Sequence, residues 1–209
     1  MKTPFLSLLA VAGLLLAAGA PALRAQNSST LVPSTGSGAS NGQFVIKNIN
    51  ISTPKTPEFQ TVGGETQSKR YTLGAWLEVE VEFSASAPTA EVAFHYDFAI
   101  NNQLLTGDQT VVDVQPGQSL FTSVYVAPRT LASLLKGQPL TVNTLQNARV
   151  QILRPGVSAP LAIKFQKDAN ANFFARAQQI PGFVLNKAQT PFANLWWDRY
   201  ETVKPTAPR

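Results

Sequence analysis

Residues 76–83 read WLEVEVEF, with Leu77, Val79, Val81 and Phe83 alternating strictly with Glu78, Glu80 and Glu82. Successive side chains leave opposite faces only in an extended strand, so this period of two demands one dry face and one wet face. Residues 91–100 repeat the pattern, with Val92, Phe94, Tyr96, Phe98 and Ile100 set against Glu91, His95 and Asp97. Two half-apolar strands need a second apolar layer over them, and the chain is read as a β-sandwich. The expected inward set is Leu77, Val79, Val81, Phe83, Val92, Phe94, Tyr96, Phe98, Val150, Ile152, Ile163 and Phe165.

The flanking chain supplies short strands and turns. Residues 44–51 (FVIKNINI) open the domain, and residues 52–64 form a Pro- and Gly-punctuated loop in which 60–62 can pair briefly. Strand 76–83 leads to 91–100, and Asn101-Asn102 turns into a short piece, 103–106. Gly107-Asp108 turns again into 109–114, and Pro116-Gly117 sends 119–126 back antiparallel. Residues 128–136 (PRTLASLLK) form the one clear internal helix, with Pro128 in its first turn and Gly137 suited to a left-handed cap. Residues 148–153 and 161–165 make a hairpin around Arg154-Pro155-Gly156. Residues 168–178 are helical or irregular, and 183–186 form a last short strand. Seven or eight short antiparallel strands describe an all-β, immunoglobulin-like sandwich over 44–187.

Residues 1–25 have the make-up of a signal peptide. Lys2 is the basic end, an apolar run follows, and small residues precede a cut after Ala25 or, alternatively, after Ala22. That run, about 16 residues at ~1.5 Å each, falls short of a ~30 Å hydrocarbon core, so no stable membrane span is expected after cleavage. Residues 26–43, rich in Ser, Gly and Thr, read as a flexible leader. With no cysteine in the chain, an exported domain rests on its core alone. The formal charge is +5, but the basic residues are scattered and do not alternate with exposed aromatics. Nucleic acid is excluded on that ground.

Little in the chain points to catalysis. One His and no Cys rule out a thiol nucleophile and a His-cluster metal site. A Ser–His–acid triad would have to use His95, and no Ser lies in a GxSxG elbow. The three stripe glutamates sit about 6.6 Å apart along the strand, too far for one Ca²⁺ at ~2.3–2.6 Å. They are read as a solvated face paired with Arg149 or Lys164 of another strand. No catalytic residue, metal ligand or cofactor is assigned.

The C-terminal segment, 188–209, is the most unusual stretch, with TPFANLWWDRYE at 190–201. Thr190 can cap a helix with Pro191 in its first turn. A free-swinging segment this aromatic would promote aggregation, so it is expected to dock on the sandwich. Phe192 and Trp196 are expected to pack inward, with Asp198, Arg199 and Glu201 wet. Trp197, Tyr200 and Arg199 are the candidate partner-binding residues, because aromatics and Arg dominate interface hot spots.

That motif, with WLEVEVEFSA at 76–85, LLTG at 104–107 and APRTLA at 127–132, resembles the small immunoglobulin-like proteins found with type IV pilus genes in Verrucomicrobia, best known from Akkermansia. The likeness runs from Phe44 to Lys204. It implies an immunoglobulin-like fold, export, and a role in pilus assembly or at the cell surface, with no catalytic residues to carry over. The expected function is a non-enzymatic envelope protein of the periplasm or cell exterior. It would act by protein–protein interaction with pilus or envelope proteins, including copies of itself. The alternative is a carbohydrate-binding module of the cell surface.

Overall fold

The computed structural model describes residues 42–58, 74–167, 174 and 177–205. The expected signal peptide 1–25, residues 26–41 of the leader, the brief pairing at 60–62 and most of 168–178 lie outside the described residues.

Among the described residues, β1 (Phe44–Ser52), β2 (Leu77–Ala85), β5 (Gly117–Val126) and β9 (Val184–Asn186) form one sheet, in the order β1-β2-β5-β9. The second contains β3 (Thr89–Ile100), β4 (Gln103–Val114), β6 (Leu145–Leu153), β7 (Pro160–Phe165) and β8 (Gln178–Pro181), in the order β7-β6-β3-β4-β8. Every pairing is antiparallel except β4 with β8. The first seven strands thus reproduce the immunoglobulin arrangement of strands A, B and E facing G, F, C and C′. Helix α1 (Pro128–Leu135) bridges β5 and β6, burying Leu131, and ends at Lys136 and Gly137, both left-handed.

The two patterned strands are not neighbours. β2 pairs with β1 and β5, whereas β3 pairs with β4 and β6. Their apolar rows face each other across the sandwich, where the Phe83 and Phe94 rings meet at 5.0 Å. Leu77, Val79, Val81, Phe83, Phe94, Tyr96 and Phe98 are fully buried. The Glu stripe and His95 therefore lie on opposite outer faces, and Pro116-Gly117 likewise carries the chain between sheets rather than closing a hairpin. Inside, Gln109 of β4 donates to the hydroxyl of Thr122 of β5, a polar link from sheet to sheet.

Asn101 and Asn102 both adopt positive φ (48° and 61°), the geometry of a two-residue hairpin turn whose twist matches its strands. Gly107-Asp108, expected as a second turn, lies inside one continuous β4. The glycine has another use there. A Cβ on Gly107 would stand 2.5 Å from the Cβ of Val184, so its bare backbone lets β9 close the sandwich.

Ile163 and Phe165 are not in the core. The β6–β7 register sets Ile163 opposite Gln151 and Phe165 opposite Arg149, on the outer face, while Leu161 and Ala162 take the buried positions. A slip of one residue exchanges the faces of a strand. Phe165 packs outside against Phe174, their centroids 5.6 Å apart.

Candidate functional site

Beyond β9 the chain builds a second apolar cluster on the outer face of the first sheet. Asn186 and Gln189 cap each other, the Asn186 Oδ1 accepting from the Gln189 amide at 3.1 Å and the Gln189 Oε1 from the Asn186 amide at 3.0 Å. Thr190 Oγ1 donates to the Lys187 carbonyl (2.7 Å) and accepts from the Phe192 amide (3.2 Å). This tight turn drives Phe192 down to 2% exposure. Its ring stacks on Tyr125 (4.9 Å, 10°) and meets the edge of Trp76 (5.7 Å, 86°). Aromatic pairs in these geometries are worth ~0.5–1.5 kcal/mol beyond their burial.

The helix that Thr190 could cap does not form. The backbone instead makes successive tight turns, Ala193 N to Thr190 O, Leu195 N to Phe192 O and Arg199 N to Trp196 O. Trp196 interrupts any helix with φ +49°, a conformation uncommon for a bulky side chain. Contrary to expectation, Trp196 is not an anchor and is 53% exposed, while Trp197 is 79% exposed. Phe192 alone fills the inward role expected of the pair.

Arg199 and Tyr200 turn back onto the Glu stripe. Arg199 Nε and a terminal nitrogen donate to the two oxygens of Glu80 at 3.0 and 2.9 Å, and the Tyr200 hydroxyl adds a third bond at 2.9 Å. The guanidinium lies 4.0 Å from the Phe121 ring centre. Burial pulls the Glu80 carboxyl up, but these hydrogen bonds outweigh it and hold the group below its ordinary value. Its neighbours on the stripe are also engaged: Glu82 accepts from Asn48 and Ser119, and Glu78 from Ser52 and Tyr125. The expected partner Arg149 is committed elsewhere, to Asp97.

The tail then crosses from sheet to sheet. Glu201 N donates to Phe121 O of β5, Val112 N of β4 to Thr202 O, and Lys204 N to Thr110 O of β4. Lys204 Nζ also reaches Glu91 at 2.6 Å. Beneath Trp197 the segment leaves a groove of about 190 Å³ lined by Thr122, Ser123, Ala193, Tyr200 and the buried Lys187. Lys187 Nζ donates to the Ala193 carbonyl at 3.1 Å, and burial lowers its pKa. Sequence reading passed over Lys187, whose only signal was a lone cation between an apolar strand and an aromatic run.

His95 sits on the opposite outer face. Its Nδ1 lies 2.6 Å from Asp108, its Nε2 3.2 Å from Asp97, and Asp97 is clamped by Arg149 at 2.7 Å. The bond to Asp97, aided by Asp108 and opposed by burial, raises the His95 pKa to about 9. An imidazolium with both N–H groups engaged has no lone pair with which to act as a base. Among the described residues no group of three acidic or His side chains could hold a metal ion, and no helix is long and apolar enough to cross a membrane.

A family model matches residues 36–207. The chain belongs to the Akkermansia-type immunoglobulin-like family. A crystal structure of a protein from Akkermansia muciniphila superposes with a TM-score of 0.64 at 18% identity, covering 81% of this chain and 99% of that one. At that identity the likeness establishes the shared fold. No curated protein matches the sequence of this family member.

Proposed function

We propose that this protein is an exported, non-enzymatic component of the bacterial envelope, associated with type IV pilus-like assembly or the cell surface, that works by binding other proteins. The observation that carries the reading is the mounting of Trp197. Its ring is 79% exposed on a segment pinned on one side by Phe192 and on the other by Arg199 and Tyr200. A Trp held outward on an ordered support contributes a large contact area while losing little conformational freedom on binding. Arg199 and Tyr200 serve as the support of that contact and flank it.

Affinity capture from native envelopes with residues 26–209, compared with Trp197→Ala, tests the proposal. The expected result is a defined envelope or pilus protein, identified by mass spectrometry, whose recovery falls with Trp197→Ala while the melting temperature does not move. Binding on a glycan array lost on the same substitution would favour the carbohydrate-module reading. Turnover on a hydrolase panel would overturn the non-enzymatic one.

A further inference from the structure

Beyond that reading, a second groove has no part in the C-terminal segment. It lies between α1, the β3–β4 turn and the link from β8 to β9, and encloses about 290 Å³. That volume sits at the lower end of small-molecule pockets, ~300–1,000 Å³, and suits a single sugar-sized ring.

Its apolar wall is Phe183, 44% exposed. The fold does not need this ring outside. Val184, the next residue, takes the inward position against Gly107, and Gly182, at φ +88°, turns Phe183 away from the sandwich. Across from it stand the side chains of Gln103, Thr130 and Ser133, none hydrogen-bonded to another described residue. Asn101 fixes the geometry by donating from Nδ2 to the Leu134 carbonyl at 2.9 Å, which leaves its Oδ1 as an acceptor. Among the described residues Lys136 is the sole charged one lining the groove, and its left-handed backbone (φ +49°) ends the helix there. One aromatic face, several uncommitted amide and hydroxyl groups and one unopposed cation together describe the complement of a hydroxylated, ring-shaped anion.

We propose that this groove binds a hexuronate unit of an acidic polysaccharide, with the sugar ring against Phe183 and its carboxylate at Lys136. Calorimetric titration of residues 26–209 with trigalacturonate and with neutral maltotriose tests it. Trigalacturonate should bind saturably and more weakly as salt rises, and maltotriose should not bind at up to about 10 mM, a ceiling set by the weakest affinities such a site would show. Phe183→Ala should weaken binding about tenfold and Phe183→Tyr should retain it. Lys136→Gln should weaken binding several-fold and abolish the salt dependence, and Trp197→Ala should leave it unchanged. Absence of trigalacturonate binding, equal binding of maltotriose, or binding that Phe183→Ala leaves unchanged would overturn the proposal. Loss of binding with Trp197→Ala would place the sugar at the C-terminal segment instead and overturn it equally.

Discussion

Arg199 grips both oxygens of Glu80 from 119 positions further along the chain, so the middle of the alternating strand is also the mooring of the C-terminal segment. The pair is partly wet, with 44% of the arginine side chain exposed against 14% of the glutamate. Solvent screening limits such a pair to about 1 kcal/mol. Arg199→Lys keeps the charge but loses the fork that reaches two oxygens and the stacking on Phe121. Arg199→Lys and Glu80→Gln should each lower stability in urea by about 1 kcal/mol, and the double variant should lose less than the sum. Additive losses would show that the two side chains act independently.

Phe192 is the apolar anchor, and the exposed tryptophans are not. Removing a fully buried Phe ring costs about 3–5 kcal/mol, because Trp76 and Tyr125 would be left facing a void. Phe192→Ala should therefore produce a large drop in the urea midpoint. Trp196→Ala should produce a much smaller one and Trp197→Ala almost none. Equal losses at Phe192 and Trp196 would mean that Trp196 contributes packing its exposure does not suggest.

The sandwich was legible in the sequence because it is written in period two. The rows on β2 and β3 name their own inward faces, and Asn101-Asn102 announces its turn. What pairs with what was not legible. Nothing in a strand says whether its successor lies beside it or across from it, and β2 and β3 in fact lie in different sheets and face each other. β7 misled because Ile163 and Phe165 are apolar residues on an outer face, covering Gln151 and Arg149. In the C-terminal segment the composition announced docking and an outward Trp197. Phe192 packs inward as its sequence suggested, but the outward turn of Trp196 depends on its left-handed backbone, which no helical or extended pattern anticipates.

The His95 network makes a pH prediction of definite sign. The folded His95 has its pKa raised to about 9 from 6.5, chiefly by Asp97. A raised pKa contributes stability that is complete below 6.5 and disappears as pH climbs through about 9. The groups facing the ring are Asp97 and Asp108, with Arg149 behind Asp97. The wild-type melting temperature should fall between pH 6.5 and 9 by more than that of His95→Gln, which carries no titrating ring. Parallel curves for the two proteins would show that folding does not raise the His95 pKa.

Gly107 offers a test of how the sandwich closes. Its φ is not in the left-handed region, so Ala can adopt the backbone there, and the obstacle is space alone. The new methyl would stand 2.5 Å from Val184 Cβ and 2.9 Å from its Cγ1, separations that no side-chain rotation relieves at Cβ. Either β9 moves off β5 or β4 bends, and overpacking of this kind costs about 1–3 kcal/mol. Val184→Ala should cost something of its own, since that side chain packs against the core. It removes Cγ1 and Cγ2 but leaves the closest atom in place, so it should relieve the clash only in part. The double variant Gly107→Ala/Val184→Ala is therefore expected to be more stable than the two single losses predict, yet less stable than Val184→Ala alone. Denaturant midpoints of the four proteins decide it, and strict additivity would show that β9 does not close on Gly107.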